Sequence, residues 1–235
     1  ALEGPLAFYH LYSTNPNLEF LQRPDGAQLE IHNISFKPYS CCRKFHSMID
    51  CLEIATNKFS HDPDKIKKID VYSPKNAIKK HAIQRPNSVM AAQYSMPYIT
   101  AATLAYGPKN YNAFESEYHQ DPKIISLIDK TEAHHDPKLD EYLPEHMANR
   151  VVVTFGDGSQ QAAEVIEALG SPECPLTFDG VFEKAETLIN MVDPNIDLPA
   201  IADAVRQLPN MADIDNLMQL LIAKNYDSPK TLAVK

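Results

Sequence analysis

Phe36–His46 reads FKPYSCCRKFH, and the segments on either side of it decide the fold. Residues 29–36 are apolar and β-branched and predict a strand. After the stretch, apolar residues recur at helical spacing and predict an amphipathic helix. Those residues are Phe45, Met48, Ile49, Leu52 and Phe59. Pro38 cannot extend a strand ladder and Ser40 is a good N-cap, so the sequence predicts a strand-to-helix junction here.

The predicted junction also gathers positive charge. Lys37 and Arg43 flank the first turn of the predicted helix, whose unpaired backbone N–H groups would point toward Lys37. This combination predicts an anion-binding corner suited to a carboxylate or a phosphate. The alternative is that both side chains are solvated surface charges.

Composition limits the classes of protein that fit. The chain has 235 residues, a net charge of −9 and no run of Lys or Arg, which argues against a nucleic-acid surface. Its apolar runs are too short for a membrane span, so we expect a soluble protein without a membrane partner. The four cysteines include an adjacent pair but no C-x-x-C motif, which fits neither a disulfide framework nor a zinc site. A reducing compartment is expected, either the cytoplasm or, in a eukaryote, the mitochondrial matrix.

Short strands and helices alternate along the rest of the chain. Strands are predicted at 66–72 and 130–135, and a hairpin at 150–155 and 160–166 around Gly156–Ser159. Residues 73–86 are predicted to form a basic loop. Helices are predicted at 87–107, with a kink at Pro97, and at 112–118, 122–130, 177–191, 198–208 and 214–223. Because the pattern lacks a β-α-β rhythm, it predicts an α+β domain with two layers, one of sheet and one of helices.

Three motifs occur together in one order. They are Lys37–Cys42 with His46, then AQYSMPY at 92–98 opening an alanine-rich helix, then the hairpin with Asp157-Gly158 at its turn. This arrangement resembles the C-terminal part of the MmgE/PrpD family, which includes 2-methylcitrate dehydratases, cis-aconitate decarboxylases and iminodisuccinate epimerases. Residues 1–22, with their LEGP opening, look like the end of a preceding domain, and residues 23–235 like a C-terminal α+β domain with a helical C-terminus.

The resemblance implies a metal-free enzyme without a cofactor that acts on small di- or tricarboxylates. The implied reaction is proton abstraction next to a carboxylate, followed by loss of water, loss of CO2 or reprotonation. Lys37 matches the family lysine that faces the substrate, and Tyr98 matches a tyrosine on the alanine-rich helix. Position 42 is Cys where some members carry His. The expected partners are a polycarboxylate substrate, an all-helical N-terminal domain that this chain lacks, and a second copy in a homodimer.

The remaining candidates have structural alternatives. His46 precedes Asp50 by four residues, so it is either an oriented acid/base group or one member of an exposed pair, and we favour a structural role. Gln93 and Ser95 either contact the substrate or satisfy the backbone opened by Pro97. Cys42 either is a nucleophile or, with its neighbour Cys41, fills space as a small hydrophobe, which we favour.

Two classes of function remain open at this level. One is a lyase or isomerase of small polycarboxylates, in which this chain supplies one wall of the site and is inactive alone. Arg43 and Lys37 would then bind substrate carboxylates. The other is a non-catalytic binding or assembly domain. The two histidines at 134 and 135 are assigned to the surface.

Overall fold

The structure is a computed structural model that describes residues 4, 7–15, 26–59 and 62–222. By backbone contacts the chain divides into two units, residues 1–34 and residues 35–235. In the first unit, the described residues form the short helix α1 (Phe8–Tyr12) and a 3-10 turn at Glu30–Asn33.

The strand predicted for residues 29–36 is wrong. The segment has no ladder partner among the described residues and instead makes one 3-10 turn, with Ile31 and Ile34 more than half exposed. An apolar, β-branched run becomes a strand only where a sheet edge accepts its backbone groups.

The second unit contains a four-stranded mixed sheet among its described residues. The strands are β1 (Ile66–Ser73), β2 (Thr131–His135), β3 (Asn149–Phe155) and β4 (Gln160–Val165), in the order β2-β1-β3-β4. β1 pairs parallel with β2 and antiparallel with β3, and β3 pairs antiparallel with β4. The predicted strands at 66–72 and 130–135 and the hairpin are confirmed. Gly158, with φ of +86°, supplies the left-handed residue that its turn needs.

Helices cover one face of this sheet. α2 (His46–Ala55) packs on β3 and β4, and buries Met48, Ile49 and Leu52. It ends earlier than the sequence predicted, because Asn57–Phe59 take left-handed backbone angles that no helix continues through. The predicted apolar face is therefore correct for 45–52 and wrong for Phe59.

The helix predicted at 87–107 is two helices, α4 (Val89–Tyr94) and α5 (Met96–Tyr106). Ser95 lies between them, and its hydroxyl accepts from the backbone N–H of Tyr98 at 3.1 Å. Pro97 therefore sits in the first turn of α5, where its missing N–H costs nothing, instead of kinking a continuous helix. α5 is buried along most of its length.

The loop predicted at 73–86 is wrong, because Lys75–His81 forms helix α3. Its one buried side chain, Ala77, anchors it, and Lys79, Lys80 and His81 lie in the last turn, where positive charge stabilises a helix. A basic segment with one small apolar residue shows too little periodicity to predict this helix.

The remaining helices agree with the prediction to within a few residues. They are α6 (Pro122–Asp129), α8 (Phe178–Val192), α9 (Leu198–Gln207) and α10 (Asp215–Leu221), while the helix predicted at 112–118 is two 3-10 turns, Tyr111–Phe114 and Ser116–Tyr118. The short helix α7 (Pro137–Asp140) was not predicted. No helix in the described ranges is both long enough and apolar enough to cross a membrane. The α+β architecture with a sheet layer and a helical layer is confirmed.

Candidate active site

A cavity of about 410 Å³ opens beside the segment 36–46. Its wall comes from three other places in the chain besides this segment: α4, the 3-10 turn at Tyr111, and α8. The lining residues are Lys37, Tyr39, Ser40, Cys41, Cys42, Met90, Gln93, Tyr94, Tyr111, Lys184 and Leu188. Of the side chains that the sequence nominated, the cavity brings together Lys37, Cys42 and Gln93. Arg43, His46, Ser95 and Tyr98 lie elsewhere.

Backbone and amide hydrogen bonds hold the segment 36–46 against α4. The Cys42 N–H donates to the Gln93 carbonyl at 2.9 Å, and the Gln93 side-chain amide donates to the Ser40 hydroxyl at 3.2 Å. The Tyr111 hydroxyl donates to the Pro38 carbonyl at 3.0 Å. Ser40 was predicted to cap the helix, but the N-cap residue of the 3-10 turn that precedes α2 is Cys42. Ser40 instead belongs to the cavity wall.

The cavity is cationic. Lys37 and Lys184 both line it, and none of the lining residues is a carboxylate. The Lys184 ammonium donates to the Lys37 carbonyl oxygen at 2.6 Å, and the Lys37 ammonium to the Cys41 carbonyl oxygen at 3.4 Å. Because an ammonium has three N–H donors, these contacts leave each lysine able to bind an anion.

Arg43 points away from the cavity, into the body of the domain. Its guanidinium donates to the Leu169 carbonyl oxygen at 2.8 Å and to the Ala168 carbonyl oxygen at 3.4 Å. The N-terminus of α2 lies at His46 and is buried, so it does not open on Lys37 as the sequence predicted. Lys184 is the second cation of this cavity, where the sequence had nominated Arg43.

His46 is completely buried, so it is not the exposed partner of Asp50 that one of the two alternatives described. One ring nitrogen lies 3.2 Å from the Arg43 guanidinium and the other 3.4 Å from the Cys41 carbonyl oxygen. Burial, with the nearby Arg43 charge second, lowers the pKa of His46 to about 3. The ring is therefore neutral at physiological pH and helps to hold the segment behind the cavity.

Asp50 has partners other than His46. It accepts from the Tyr39 hydroxyl at 2.6 Å and from the Leu169 N–H at 2.8 Å. Burial raises the pKa of Asp50, against the lowering effect of these two hydrogen bonds, and burial is also the main cause of the raised pKa of Tyr39. Arg43, His46 and Asp50, together with Leu169, form what we call the rear network, because they lie on the buried side of the segment 36–46. Tyr39 lines the cavity and contacts this network through its hydroxyl.

Ser95 and Tyr98 are buried in the core. The Ser95 hydroxyl caps α5 and also donates to the Ile83 carbonyl oxygen, which accounts for both of its roles as donor and acceptor. The Tyr98 hydroxyl donates to the Ala113 carbonyl oxygen at 2.8 Å, and burial raises its pKa above the usual value. The catalytic role that the resemblance implied for Tyr98 stays a prediction.

All four cysteines are free of disulfides. Burial raises the pKa of Cys41 above its ordinary value and that of Cys51 to about 12, so both are thiols at neutral pH. Cys41 and Cys51 thus behave as small buried side chains, whereas Cys42 is partly exposed on the cavity wall.

The cavity residues that sequence reasoning missed include Tyr94, Tyr111 and Lys184. Tyr94 belongs to the same AQYSMPY motif as Tyr98, and the break at Ser95 is what turns one toward the cavity and the other into the core. Met90 and Tyr94 are four residues apart on α4, and Lys184 and Leu188 on α8, so each pair shares a helical face. That spacing was available in the sequence, but nothing in it placed α8 beside residue 37.

Two other features lie outside this cavity. Asp70, Glu132 and His134 hold potential metal ligands within 4.8 Å of one another. The Lys68 ammonium already lies 2.9 Å and 3.0 Å from the two carboxylates, so a cation occupies that position. A larger cavity of about 530 Å³ lies among α8, α9 and α10, and its side chains are mainly isoleucine, leucine, aspartate and asparagine. It offers no cation to an anionic ligand.

Comparison with known proteins gives the class. Residues 39–208 match the MmgE/PrpD C-terminal domain, and the chain therefore belongs to the MmgE/PrpD family. A relative in Aspergillus oryzae, named cis-aconitate decarboxylase-like protein oryM, is 29% identical over 209 residues, which cover 83% of this chain and 42% of the relative. The chain thus spans less than half the length of that relative. The resemblance seen in the sequence is confirmed at the level of the family.

Proposed function

We propose that the full-length protein containing this chain is a lyase of small di- or tricarboxylates. In this proposal a proton is abstracted next to a substrate carboxylate, and water or CO2 then leaves. Membership of the MmgE/PrpD family and the decarboxylase-like name of the fungal relative support this class of reaction. The observation that carries it is a cationic cavity without carboxylates, on a chain whose net charge is −9.

Lys37 has the role of charge stabiliser in this proposal. Proton abstraction builds negative charge on the substrate carbon and its carboxylate, so a fixed cation must be present before the proton moves. The Lys37 ammonium lines the cavity and has donors to spare beyond its long contact with Cys41. In the part of the chain that the structure describes, Lys37 forms no salt bridge with an acid that would compete with the substrate.

Tyr94 is the side chain that we propose to carry a proton on this wall. It lines the cavity, whereas the Tyr98 hydroxyl is engaged with a core carbonyl. The Tyr94 ring centroid lies 5.8 Å from that of His81, which in turn contacts Phe45, so His81 supports the tyrosine from the side of the core. A positioned tyrosine can act as a general acid.

The base must come from elsewhere in the full-length protein. The cavity residues include no histidine or carboxylate, and His46 is buried and neutral. Proton abstraction requires a base within hydrogen-bond reach of the substrate. We propose that the all-helical N-terminal domain implied by the family supplies it.

The test is to incubate the full-length protein with citrate, 2-methylcitrate, cis-aconitate and iminodisuccinate and to follow each by NMR. Turnover of one or more by loss of water or CO2 is expected. If none reacts, or if iminodisuccinate is only epimerised, the proposed lyase function is wrong.

The same assay applied to residues 1–235 alone tests the proposed division of the site. After circular dichroism has shown that the isolated chain folds, we expect no measurable turnover because the base is missing. Turnover comparable to that of the full-length protein would show that this chain already contains the base.

A further inference from the structure

Lys184 occupies a position that the reaction alone does not require. It comes from α8, 147 residues after Lys37, yet both ammonium groups belong to one cavity. Its 2.6 Å hydrogen bond to the Lys37 carbonyl oxygen fixes one lysine to the backbone of the other. This hydrogen bond holds the two positively charged side chains at the same cavity.

Two ammonium groups repel each other unless an anion lies between or beside them. Among residues 26–59 and 62–222, neither Lys37 nor Lys184 has a salt bridge to a carboxylate. Glu183, next to Lys184 in sequence, is already paired with Lys109 at 2.6 Å. The cavity thus keeps two cations available, and the acid next to Lys184 in sequence is paired with another lysine.

We propose that Lys184 binds a second carboxylate of the substrate, so that the site selects molecules with at least two carboxylates. This inference rests on the proposed function and explains why the site would prefer substrates with two or more carboxylates. Lys37 binds the carboxylate next to the reacting carbon, and Lys184 binds a more distant one. Leu188, Met90 and the Tyr94 ring line the same cavity and would contact the short hydrocarbon body between them.

The positions of Lys184 and Glu183 on α8 agree with this assignment, because the lysine lines the cavity and the glutamate pairs with Lys109. Lys184 shares a helical face with Leu188, four residues away, and both line the cavity. Lys109, by contrast, is an exposed lysine whose charge is matched by Glu183 and which does not line the cavity. Lys184 lies on α8 and Lys109 contacts it through Glu183, but only Lys184 contributes charge to the cavity.

The test measures binding of unreactive probes to the full-length protein by calorimetry, together with kinetics. The probes are tricarballylate, glutarate and butyrate, which carry three, two and one carboxylates, with inorganic phosphate as a further anion. In Lys184→Met we expect the affinity for tricarballylate and glutarate to fall about tenfold to a hundredfold, the effect of losing one charged hydrogen bond. Butyrate affinity should change less than about twofold by the same reasoning.

Three further variants make the result specific. Lys184→Arg keeps the charge and should retain most of the affinity, while Lys184→Gln should resemble Lys184→Met and serves if the latter does not fold. The double variant Lys109→Met/Glu183→Gln removes both charges of the ion pair beside α8, leaves no carboxylate free to pair with Lys184, and should bind every probe like the wild type. For a substrate that is turned over, Lys184→Met should raise KM more than it lowers kcat.

Several outcomes would overturn the assignment. They are unchanged affinity for tricarballylate in Lys184→Met, an equal loss for butyrate, an equal effect of the double variant Lys109→Met/Glu183→Gln, or tighter binding of phosphate than of any carboxylate. Failure of the proposed function looks different. In that case none of the four candidate substrates is turned over, while the Lys184-dependent preference for polycarboxylate probes is still measured.

Discussion

The segment 36–46 presents cations and polar side chains on both of its sides, but those on one side face a cavity and those on the other are occupied by hydrogen bonds. Lys37 and Cys42 line the cavity, where the Lys37 ammonium has only a weak carbonyl contact. Arg43 and His46 lie in the rear network, where close polar contacts occupy them. Chemical type therefore does not decide whether a side chain is available to a ligand. The neighbour that packs on each side decides it: α4 and α8 leave the cavity side open, while residues 168 and 169 close the rear.

The largest expected effect is on the cavity side. Lys37→Ala in the full-length protein should lower turnover by about 10²-fold to 10³-fold, the usual loss when one preorganised charge stabiliser is removed. The measurement is kcat/KM for whichever of the four substrates reacts. Lys44→Ala, in the same segment but outside the cavity, is the control and should stay near wild type. A folded Lys37→Ala protein with normal kinetics would contradict the proposal.

The two tyrosines of the AQYSMPY motif extend the comparison to α4 and α5. Tyr94→Phe should lower turnover by about a hundredfold if its hydroxyl carries a proton. Tyr98→Phe should leave turnover near normal but lower the free energy of unfolding by about 1–3 kcal/mol, because the buried Ala113 carbonyl loses its donor. Denaturant unfolding and steady-state kinetics on both variants make the test. The reverse result would show that Tyr98 is the catalytic residue that the family resemblance implied.

The rear network should respond to pH. His46 has a folded-state pKa of about 3 against 6.5 when unfolded, so between these values the unfolded chain binds a proton that the folded chain does not. The stability associated with neutral His46 is complete above pH 6.5 and is lost as the pH falls. At pH 5 the loss should be about 2 kcal/mol, from about 1.4 kcal/mol per pH unit.

Denaturant unfolding between pH 7 and pH 5 measures this loss. His46→Gln keeps a donor and an acceptor but cannot take up the proton, so its stability should vary less across this range than that of the wild type. His32→Gln, which changes an exposed histidine, should keep the wild-type dependence. Identical pH profiles for wild type and His46→Gln would show that the buried ring is not what titrates.

The smallest effect is expected at Cys42. Its thiol lines the cavity, but its structural link to α4 runs through the backbone N–H, which a serine keeps. Cys42→Ser should therefore change turnover by less than about tenfold, far below the effect of removing a required nucleophile. Peptide mass spectrometry after turnover provides the independent check. A stable adduct on Cys42, or complete loss of activity in Cys42→Ser, would assign it a covalent role.

Several parts of the architecture could be predicted because they depend on local patterns. Alternation of apolar and polar residues predicted β1, helical spacing of apolar residues predicted α2 and α8, and the turn at Gly158 predicted the hairpin. Errors occurred where packing overrode the local pattern. Residues 29–36 have strand composition but pair with no strand among the described residues, and 75–81 form a helix that a single buried alanine secures.

For the candidate site, the sequence by itself determined the segment 36–46, Lys37 as its cation, and the resemblance to a family that the comparison then confirmed. Only the tertiary structure decided that Arg43 and His46 face inward and that Tyr94 and Lys184 join Lys37. The physical reason is that sequence spacing fixes which residues share a helical face, whereas a cavity forms between elements far apart in the chain. Lys184 lies 147 residues from the carbonyl it contacts, a distance over which no local pattern carries information.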